Sequence, residues 1–362
     1  MKTSARLLCT ASLAIATLVA VPDRADACTR VVYIGDGPDN VITGRTLDWK
    51  TDIPSNLYVF PQGIKRVSHD STACMTWTSR YGCVVNVGYD LGATEGMNQN
   101  GLVVNLLYLP GTSYDLPPGT PDKRLPMSSS LWCQYVLDNF GSTAEAVQAL
   151  SADQFKIVAP AMPGGSATTV HMAISDRTGN SAIIEYLDGK LSIHQGKQYQ
   201  VLTNAPPYDQ QLAVAEYWKT VGGLNMLPGT NRSQDRFSRA SFYINCIPKD
   251  TSHEMAIAGV FGVIFNCSVP VGISVPDQPE ISSTRWRSVA DQKKLIYYYG
   301  ITLNPSIMWI DLNEFDLSPG APIMKLDIIN QKKPYIGNVI RDMKKSTGYT
   351  PMFHPSQGDA FK

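Results

Sequence analysis

The sequence lacks the features that mark membrane-spanning, nucleic-acid-binding and disulfide-framed proteins. Outside the first 27 residues, no apolar run approaches the ~20 residues that a membrane-spanning helix needs. The 31 basic and 31 acidic residues cancel, so no net charge favours nucleic acid or an acidic membrane surface as a partner. The seven cysteines contain no CxxC pair and no dense, even spacing, which argues against a disulfide framework. We therefore expect a soluble protein once any leader is removed.

Motifs for metals, cofactors and serine nucleophiles are lacking as well. The sequence contains no HExxH, no GxSxG and no phosphate-binding glycine loop. The five histidines are not clustered along the chain; they are His69, His171, His194, His253 and His354. His171 and His194 lie in predicted strands, where core or hydrogen-bonding roles are commoner than ligand roles. We predict no cofactor and no metal.

What the sequence does contain begins with an export leader. Lys2 and Arg6 precede an apolar run over residues 7–21, and Ala25-Asp26-Ala27 supplies the small residues that a leader peptidase requires. We predict that residues 1–27 form a cleaved signal peptide. Residues 28–362 should form a single domain, because no internal repeat, low-complexity tract or composition break divides them. The mature protein would be periplasmic or secreted and would begin with Cys28.

A mature N-terminal cysteine has three interpretations. Its thiol and free α-amine can act as nucleophile and base on one residue, as in the N-terminal threonine hydrolases. Exported bacterial proteins also carry lipidated cysteines at the cut, although that processing prefers Leu where Ala25 stands here. Cys28 could also be a disulfide partner. The residues around the cut leave all three interpretations open.

Hydrophobic periodicity predicts an α+β chain. Strands are expected at 29–35, 41–49, 57–60, 75–78, 83–89, 102–109, 170–175, 181–186, 191–194, 200–203, 284–289, 295–302 and 307–312. Helices are expected at 127–140, 208–221, 234–247 and 254–265, and after the capping box of Ser142 and Glu145. The polar, glycine-bounded stretch 96–101 predicts a turn. Because amphipathic helices need a sheet to cover, we predict two stacked, largely antiparallel sheets with helices outside.

Arg45 and Asp48 lie three residues apart at the end of a predicted strand, 17 residues and more after Cys28. Arg45 would favour the Cys28 thiolate, and Asp48 could hold and orient the α-amine. Their opposite effects on the amine would keep its pKa near neutrality, where a general base works best. An ordinary surface salt bridge between Arg45 and Asp48 at a turn would show the same three-residue spacing.

Two further positions suit acyl transfer. Asn204 ends a predicted strand, where its amide could stabilise a developing oxyanion, although Asn also commonly begins a turn before a proline such as Pro206. Arg236 and Arg239 lie on a predicted amphipathic helix, where each could equally belong to a solvated face.

Five motifs in order resemble those of the choloylglycine hydrolases, a family of N-terminal nucleophile hydrolases that includes bile salt hydrolases and penicillin V acylases. The motifs are Cys28-Thr29-Arg30, Arg45-x-x-Asp48-Trp49, Gly96-Met97-Asn98, Leu202-Thr203-Asn204 and Asp235-Arg236-Phe237. The resemblance covers essentially the whole mature chain, including Ser283-Thr284-Arg285-Trp286 and Tyr297-Tyr298-Tyr299, and is strongest to the exported, Gram-negative branch. It implies a four-layer αββα sandwich and a homotetramer, with no cofactor.

The resemblance also implies roles for particular residues. Cys28 would be the nucleophile and, through its α-amine, the general base, with Arg45 and Asp48 beside it. Asn204 would supply the side-chain half of the oxyanion hole and the backbone amide of Tyr108 the other half. Arg236 matches the last active-site arginine of the family better than Arg239 does.

The implied reaction is hydrolysis of a linear amide with an apolar acyl group bound near Trp49 and Tyr108. We rank conjugated bile salts first, because the whole-chain resemblance is strongest there. Penicillin V comes second, because Tyr at position 108 is found in some penicillin acylases, and acyl-homoserine lactones are a third possibility. The alternative to an enzyme is a lipid-anchored or secreted binding protein whose Cys28 is acylated or inert.

The first prediction concerns the mature N-terminus. Sequencing and intact mass of the exported protein should identify a chain that begins with an unmodified Cys28, because Ala25 and Ala27 place the cleavage site before it. A mass increment of two or three acyl chains would instead indicate a lipid anchor.

Overall fold

The computed structural model describes residues 28–163, 167–275 and 278–353. The predicted signal peptide lies outside these ranges. Within them, no helix is both long and apolar enough to cross a membrane.

The described ranges contain 22 strands, five α-helices and two short 3-10 helices. The first half of the chain contributes β1 (Cys28–Ile34), β2 (Val41–Asp48), β3 (Ser55–Phe60), β4 (Lys65–Val67), β5 (Thr76–Thr78), β6 (Cys83–Gly88), β7 (Gly92–Asn98), β8 (Val103–Tyr108), β9 (Leu125–Ser128), α1 (Ser129–Asn139), α2 (Thr143–Leu150), β10 (Phe155–Val158), β11 (Val170–Ser175) and β12 (Ser181–Leu187). The second half contributes β13 (Lys190–Gln195), β14 (Val201–Leu202), α3 (Tyr208–Val221), α4 (Ser233–Cys246), α5 (His253–Cys267), β15 (Ser274–Val275), β16 (Gln278–Ser282), β17 (Thr284–Asp291), β18 (Ile296–Ile301), β19 (Met308–Asp311), β20 (Ile323–Leu326), β21 (Gly337–Asn338) and β22 (Lys344–Ser346), with 3-10 turns at Leu312–Glu314 and Ile340–Asp342.

Two large sheets carry most of the strands. Sheet I has the order β14-β1-β2-β17-β18-β19-β21, and sheet II has the order β13-β12-β11-β8-β7-β6-β3-β20-β22. Neighbours are antiparallel in both sheets except for the short pair β19 and β21. In sheet I, β1 lies beside β2 with Cys28 opposite Leu47. This register brings the predicted nucleophile next to the predicted Arg45 and Asp48 pair.

The side chains of sheet II alternate between its two faces, and each face packs into a different apolar core. In β8, Val103 and Leu107 pack into the core between the sheets, whereas Val104 and Leu106 pack towards α1 on the opposite face. Because side chains alternate across a strand, a strand covered on both faces is apolar at nearly every position.

Helices cover the outer face of each sheet. α1 packs on β7 and β8 of sheet II, and α4 and α5 pack on β1 and β2 of sheet I. The layers are therefore helix, sheet, sheet, helix, which confirms the predicted four-layer αββα sandwich. The predicted helices agree with α1 to α5 to within about three residues at each end.

The α2 cap differs in detail from the predicted capping box. Ser142 accepts a hydrogen bond from the Glu145 amide, as expected. The Glu145 carboxylate accepts from the backbone N–H of Gly141 at 2.8 Å rather than from Ser142. The helix still begins at the predicted position, because both side chains satisfy backbone amides that have no partner within the helix.

The prediction of a turn at 96–101 is wrong in its first half. Residues Gly92–Asn98 form β7, a central strand of sheet II between β6 and β8. Glycine is ordinarily unfavourable in a strand because it contributes no packing. Here, a Cβ at Gly96 would lie 2.4 Å from the backbone oxygen of Val84 and 2.8 Å from a methyl group of Leu137 on α1. The glycine is present because helix and sheet approach closely at this point.

The second prediction tests this close approach. Gly96→Ala should lower the free energy of unfolding by about 1–3 kcal/mol, because the added methyl group meets backbone that cannot move easily. Gly229→Ala is the matched control: nothing lies within 4 Å of its added Cβ, so stability should be unchanged or slightly higher. Urea denaturation measures both, and equal stability of the two variants would contradict the packing argument.

Candidate active site

Cys28 is the first residue of β1 and is buried, with 2% of its surface exposed. Burial raises the pKa of its thiol, and the nearby charge of Arg45 and a hydrogen bond from the Asp48 backbone act to lower it. The sulfur lies 4.0 Å from Nη2 of Arg45. The predicted influence of Arg45 therefore acts in the expected direction, although burial outweighs it.

Arg45 is held by partners on both sheets. Its Nη1 donates to Glu95 Oε2 at 2.9 Å and to the Thr94 carbonyl oxygen at 2.9 Å, and Nη2 donates to the Leu106 carbonyl oxygen. Its guanidinium also lies over the ring of Trp286, 5.1 Å from the ring centroid. The carboxylate that balances Arg45 is therefore Glu95, which is buried in β7.

The Asp48 carboxylate has partners other than those predicted. It accepts hydrogen bonds from the hydroxyls of Thr284 and Thr46, and its Oδ2 lies 3.8 Å from Nη1 of Arg236. Burial raises its pKa to about 6, while Arg236 opposes the rise. Among the described contacts, Asp48 reaches Cys28 through its backbone rather than through the carboxylate expected to hold the α-amine.

Asn204 lies just after β14 and connects the nucleophile to sheet II. Its Oδ1 accepts a hydrogen bond from the nitrogen of Cys28, and its Nδ2 donates to the Tyr108 carbonyl oxygen at 2.6 Å. The side chain is fully buried. An amide nitrogen carries two hydrogens, so Nδ2 can hold Tyr108 and direct a second hydrogen towards a substrate oxygen.

Of the two candidate arginines on α4, Arg236 lies at Cys28. Its Nη1 donates to the Cys28 carbonyl oxygen at 2.6 Å, and Nη2 donates to Asn204 Oδ1 at 3.2 Å. Arg239 instead donates to the carbonyl oxygens of Pro228 and Thr230 and to Asn266. The two differ because residues three apart on a helix lie in the same sector but a full turn apart along its axis.

The backbone groups of Tyr108 face the side of β8 on which Arg45 and Asn204 lie. On one side of β8, the amide of Leu109 donates to the Thr169 oxygen. Backbone groups of consecutive residues point to opposite edges of a strand, so those of Leu106 and Tyr108 point away from β11. The carbonyl oxygens of Leu106 and Tyr108 do contact Arg45 and Asn204, respectively.

An apolar cavity opens beside Cys28. It has about 110 Å³ of free internal space, and its walls include Trp49, Ile53, Leu91, Leu106, Tyr108 and Met352. The rings of Trp49 and Tyr108 pack edge to face, with centroids 5.3 Å apart. The cavity is comparable in size to the ~150 Å³ apolar cavity that holds a benzene ring in another protein.

The two histidines predicted to be core or hydrogen-bonded residues both make hydrogen bonds, His171 in the core and His194 nearer the surface. His171 Nδ1 contacts Glu185 Oε1 at 2.8 Å, and His194 Nε2 contacts Asp209 Oδ1 at 2.9 Å. In the described part of the chain, no group of three or more His, Cys, Asp or Glu side chains could hold a metal ion.

The residues that sequence reasoning missed are the partners of the charged groups. Glu95 balances Arg45, and Thr284 donates to Asp48. Glu95 could have been noticed as a lone carboxylate among small and apolar residues, but the predicted turn at 96–101 obscured the strand around it. Thr284 lay within a quoted motif, yet nothing in the motif indicated which residue it contacts.

Burial of Cys28 also bears on the alternative of a lipid anchor. An acylated cysteine must reach a membrane surface, whereas this sulfur lies at the wall of the apolar cavity beneath the surface. The position suits a nucleophile that meets its substrate within the protein.

Comparison with known proteins agrees with this geometry. Residues 28–333 match the model of the linear amide C–N hydrolases, choloylglycine hydrolase family. A penicillin V acylase from Pectobacterium atrosepticum is 43% identical over 86% of this chain and 88% of its own. A bile salt hydrolase/transferase from Clostridium perfringens is 27% identical over 76% of this chain and 89% of its own.

A solved structure supports the same comparison. The penicillin V acylase from Agrobacterium tumefaciens superposes with a TM-score of 0.83 at 47% identity, covering 90% of this chain and 99% of the other. A mutant of the conjugated bile acid hydrolase from Clostridium perfringens shares the fold, with a TM-score of 0.70 at 23% identity over 86% of this chain and 98% of its own.

The third prediction concerns Asp48. Because burial raises its pKa from 3.8 to about 6, the folded chain holds this proton more tightly than the unfolded chain. The resulting stabilisation is present in full below the unfolded pKa and is lost as the pH rises through about 6, a change of roughly 3 kcal/mol.

Asp48→Asn cannot titrate and should lack this change. Urea denaturation of both proteins between pH 4 and 7 should give a stability difference, wild type minus variant, that falls with rising pH and then levels off. A difference that stays constant across this range would contradict the raised pKa.

Proposed function

Because this chain belongs to the choloylglycine hydrolase family and hydrolyses a linear amide C–N bond, we propose that its preferred substrate is penicillin V or an amide with a similar aryloxyacetyl group. The observation that carries this proposal is the apolar cavity at Cys28, which is sized for one aromatic ring. The edge-to-face pair of Trp49 and Tyr108 forms one wall of it. Aromatic rings prefer such edge and offset contacts, which favour an aryl group over a flexible chain.

Similarity to relatives supports the same preference. The relatives of higher identity are penicillin V acylases, and the bile salt hydrolase is less similar. The order proposed here therefore reverses the ranking from sequence, which placed conjugated bile salts first. Bile salts and acyl-homoserine lactones remain the comparison substrates.

The reaction begins at Cys28 after removal of residues 1–27. The free α-amine accepts the thiol proton, and the sulfur attacks the carbonyl carbon of the substrate amide. Arg236 holds the Cys28 carbonyl oxygen and Asn204 Oδ1 holds the nitrogen, so the base and the nucleophile of one residue stay in a fixed relation. An uncut chain has an amide nitrogen at this position, which cannot act as a base.

Attack places a negative charge on the former carbonyl oxygen. Nδ2 of Asn204 and the backbone N–H of Tyr108 would donate to this oxyanion, a contribution worth about 10²- to 10³-fold in rate per donor. The tetrahedral intermediate collapses, the C–N bond breaks, and the leaving amine takes the proton from the α-ammonium. Water, deprotonated by the α-amine, then hydrolyses the thioester and releases the acid.

We propose export as part of the same process. The Ala25-Asp26-Ala27 site predicts that signal cleavage generates the α-amine, so that the protein is active in the periplasm or outside the cell. A fully active chain that retains a residue before Cys28 would exclude this mechanism.

We also propose that the chain forms a homotetramer. On α5, the side chains of Met255 and Phe265 are 59% and 51% exposed. Large apolar side chains exposed together on one helix are typical of subunit interfaces. Sedimentation equilibrium should give four times the chain mass, and a monomer mass would contradict the proposal.

The fourth prediction tests the substrate. With Cys28 verified as the free N-terminus, kcat/KM should be at least tenfold higher for penicillin V than for glycocholate, taurocholate or a long-chain acyl-homoserine lactone, because the cavity accepts a single ring. A preference for glycocholate would restore the ranking from sequence.

Met352 allows a matched test of the cavity. Its side chain is 3% exposed and forms part of the cavity wall. Its backbone is fixed to the Leu91 carbonyl oxygen and to the hydroxyls of Ser128 and Ser130. Met352→Ala should enlarge the cavity and lower the preference for penicillin V over glycocholate by about tenfold or more.

Met343→Ala is the control for this truncation. Met343 is also buried, at 6% exposure, but packs into the core rather than lining the cavity. The Met343→Ala variant should be less stable than the wild type but should keep the preference for penicillin V over glycocholate. An unchanged preference in Met352→Ala would mean that the acyl group binds elsewhere.

A further inference from the structure

One buried glutamine of α3 has no role in the chemistry described so far. Within α3, only Tyr208 and Gln211 are buried, and Gln211 is completely so. Burying an amide is unfavourable unless its hydrogen-bonding groups find partners. An apolar residue would fill the same position of a surface helix at lower cost, so the contacts of Gln211 indicate what it does.

Gln211 uses both ends of its amide on one short segment. Its Oε1 accepts from the backbone N–H of Thr203 at 3.1 Å and lies 2.9 Å from the hydroxyl of the same residue. Its Nε2 donates to the carbonyl oxygens of Asn204 and Pro206, each at 2.7 Å. Backbone N–H groups only donate and carbonyls only accept, so these partners fix the orientation of the amide and use its full capacity.

The segment held in this way carries the proposed oxyanion donor. Residues 203–206 form the turn between β14 and α3, and Asn204 stands within it. Its backbone N–H donates to Ser233 Oγ at 2.8 Å. Thr203 and Asn204 are therefore fixed from α3 by Gln211 and from α4 by Ser233, while the Asn204 side chain extends to Cys28 and Tyr108.

We propose that Gln211 is a positioning residue for catalysis, which holds the 203–206 turn so that Asn204 Nδ2 meets the oxyanion. The inference rests on the proposed role of Asn204. Donors that stabilise a transition state must be held in place in advance, and a displacement of about 1 Å can cost ~10²-fold in rate. Gln211 does not line the cavity at Cys28, so it acts through Asn204.

A purely structural role would also bury and satisfy an amide, and Asn98 provides the matched comparison. Asn98 is completely buried. Its Nδ2 donates to the carbonyl oxygens of Leu137 and Phe140, and its Oδ1 accepts from the N–H groups of Asn100 and Leu102. It thus makes the same kind of contacts as Gln211, at the end of β7 opposite to the cavity.

The experiment, which is the fifth prediction, compares four variants with the mature wild type. Gln211→Met and Asn98→Leu keep side-chain volume and remove the hydrogen bonds. Asn204→Ala removes the donor, and the double variant combines Gln211→Met with Asn204→Ala. Steady-state kinetics on penicillin V are measured well below each unfolding midpoint.

Gln211→Met should lower kcat by about 10- to 100-fold with little change in KM, because the lost contact matters only in the transition state. In the Asn204→Ala background, the same substitution should cost less than about twofold. Asn98→Leu should lose stability but keep kcat. An unchanged kcat in Gln211→Met, or an equal loss in both backgrounds, would overturn the proposal.

Hydrogen exchange separates this outcome from failure of the proposed function. If the mature wild type turns over none of the four amides, the substrate proposal fails, and exchange over residues 201–207 decides the inference alone. Faster exchange there in Gln211→Met, with unchanged exchange in Asn98→Leu, supports it. Unchanged exchange in Gln211→Met overturns it.

Discussion

The buried ion pair between Arg45 and Glu95 is the interaction on which the arrangement of the site depends. Arg45 belongs to β2 of sheet I and Glu95 to β7 of sheet II, so the pair crosses the space between the sheets. Burying two charges costs several kcal/mol per ion unless their remaining hydrogen-bonding groups are satisfied. Tyr297 and Asn105 donate to the Glu95 carboxylate, and Thr94 and Leu106 accept from Arg45. Through these hydrogen bonds the pair fixes one position of sheet I against sheet II.

Other polar contacts cross the same space and have the same effect. Arg30 of β1 donates to the Ile174 carbonyl oxygen on β11, and Thr43 contacts Ser175 at 2.9 Å. Apolar packing is not directional, so it brings two sheets together without selecting one lateral position. Hydrogen bonds require particular distances and angles, so they select a single lateral position of one sheet on the other. The Asn204 side chain can join Cys28 on sheet I to the Tyr108 carbonyl oxygen on sheet II only because the sheets are held in this relation.

The sequence was informative where the signal is local and uninformative where it depends on packing. The helices could be predicted because capping and apolar spacing are local, and Cys28 and Asn204 could be found from motifs. β7 could not, because Gly96 is explained only by the close approach of β6 and α1. Glu95 was missed with it. Gln211 reads as an ordinary polar residue of a surface helix, since its burial follows from the turn at Asn204 rather than from its neighbours in sequence.

The site also divides chemistry from recognition. The residues around the proposed nucleophile come from sheet I, from the turn after β14 and from α4, namely Cys28, Arg45, Asp48, Asn204 and Arg236. The cavity walls come mainly from β8 and the β6–β7 hairpin of sheet II, from the start of α1, from Trp49 and Ile53 after β2, and from the segment around Met352. Substitutions in those walls can alter the shape offered to the acyl group while the contacts of the nucleophile persist. This separation gives a physical reason why relatives that share one fold are named for amides as different as penicillin V and bile salts.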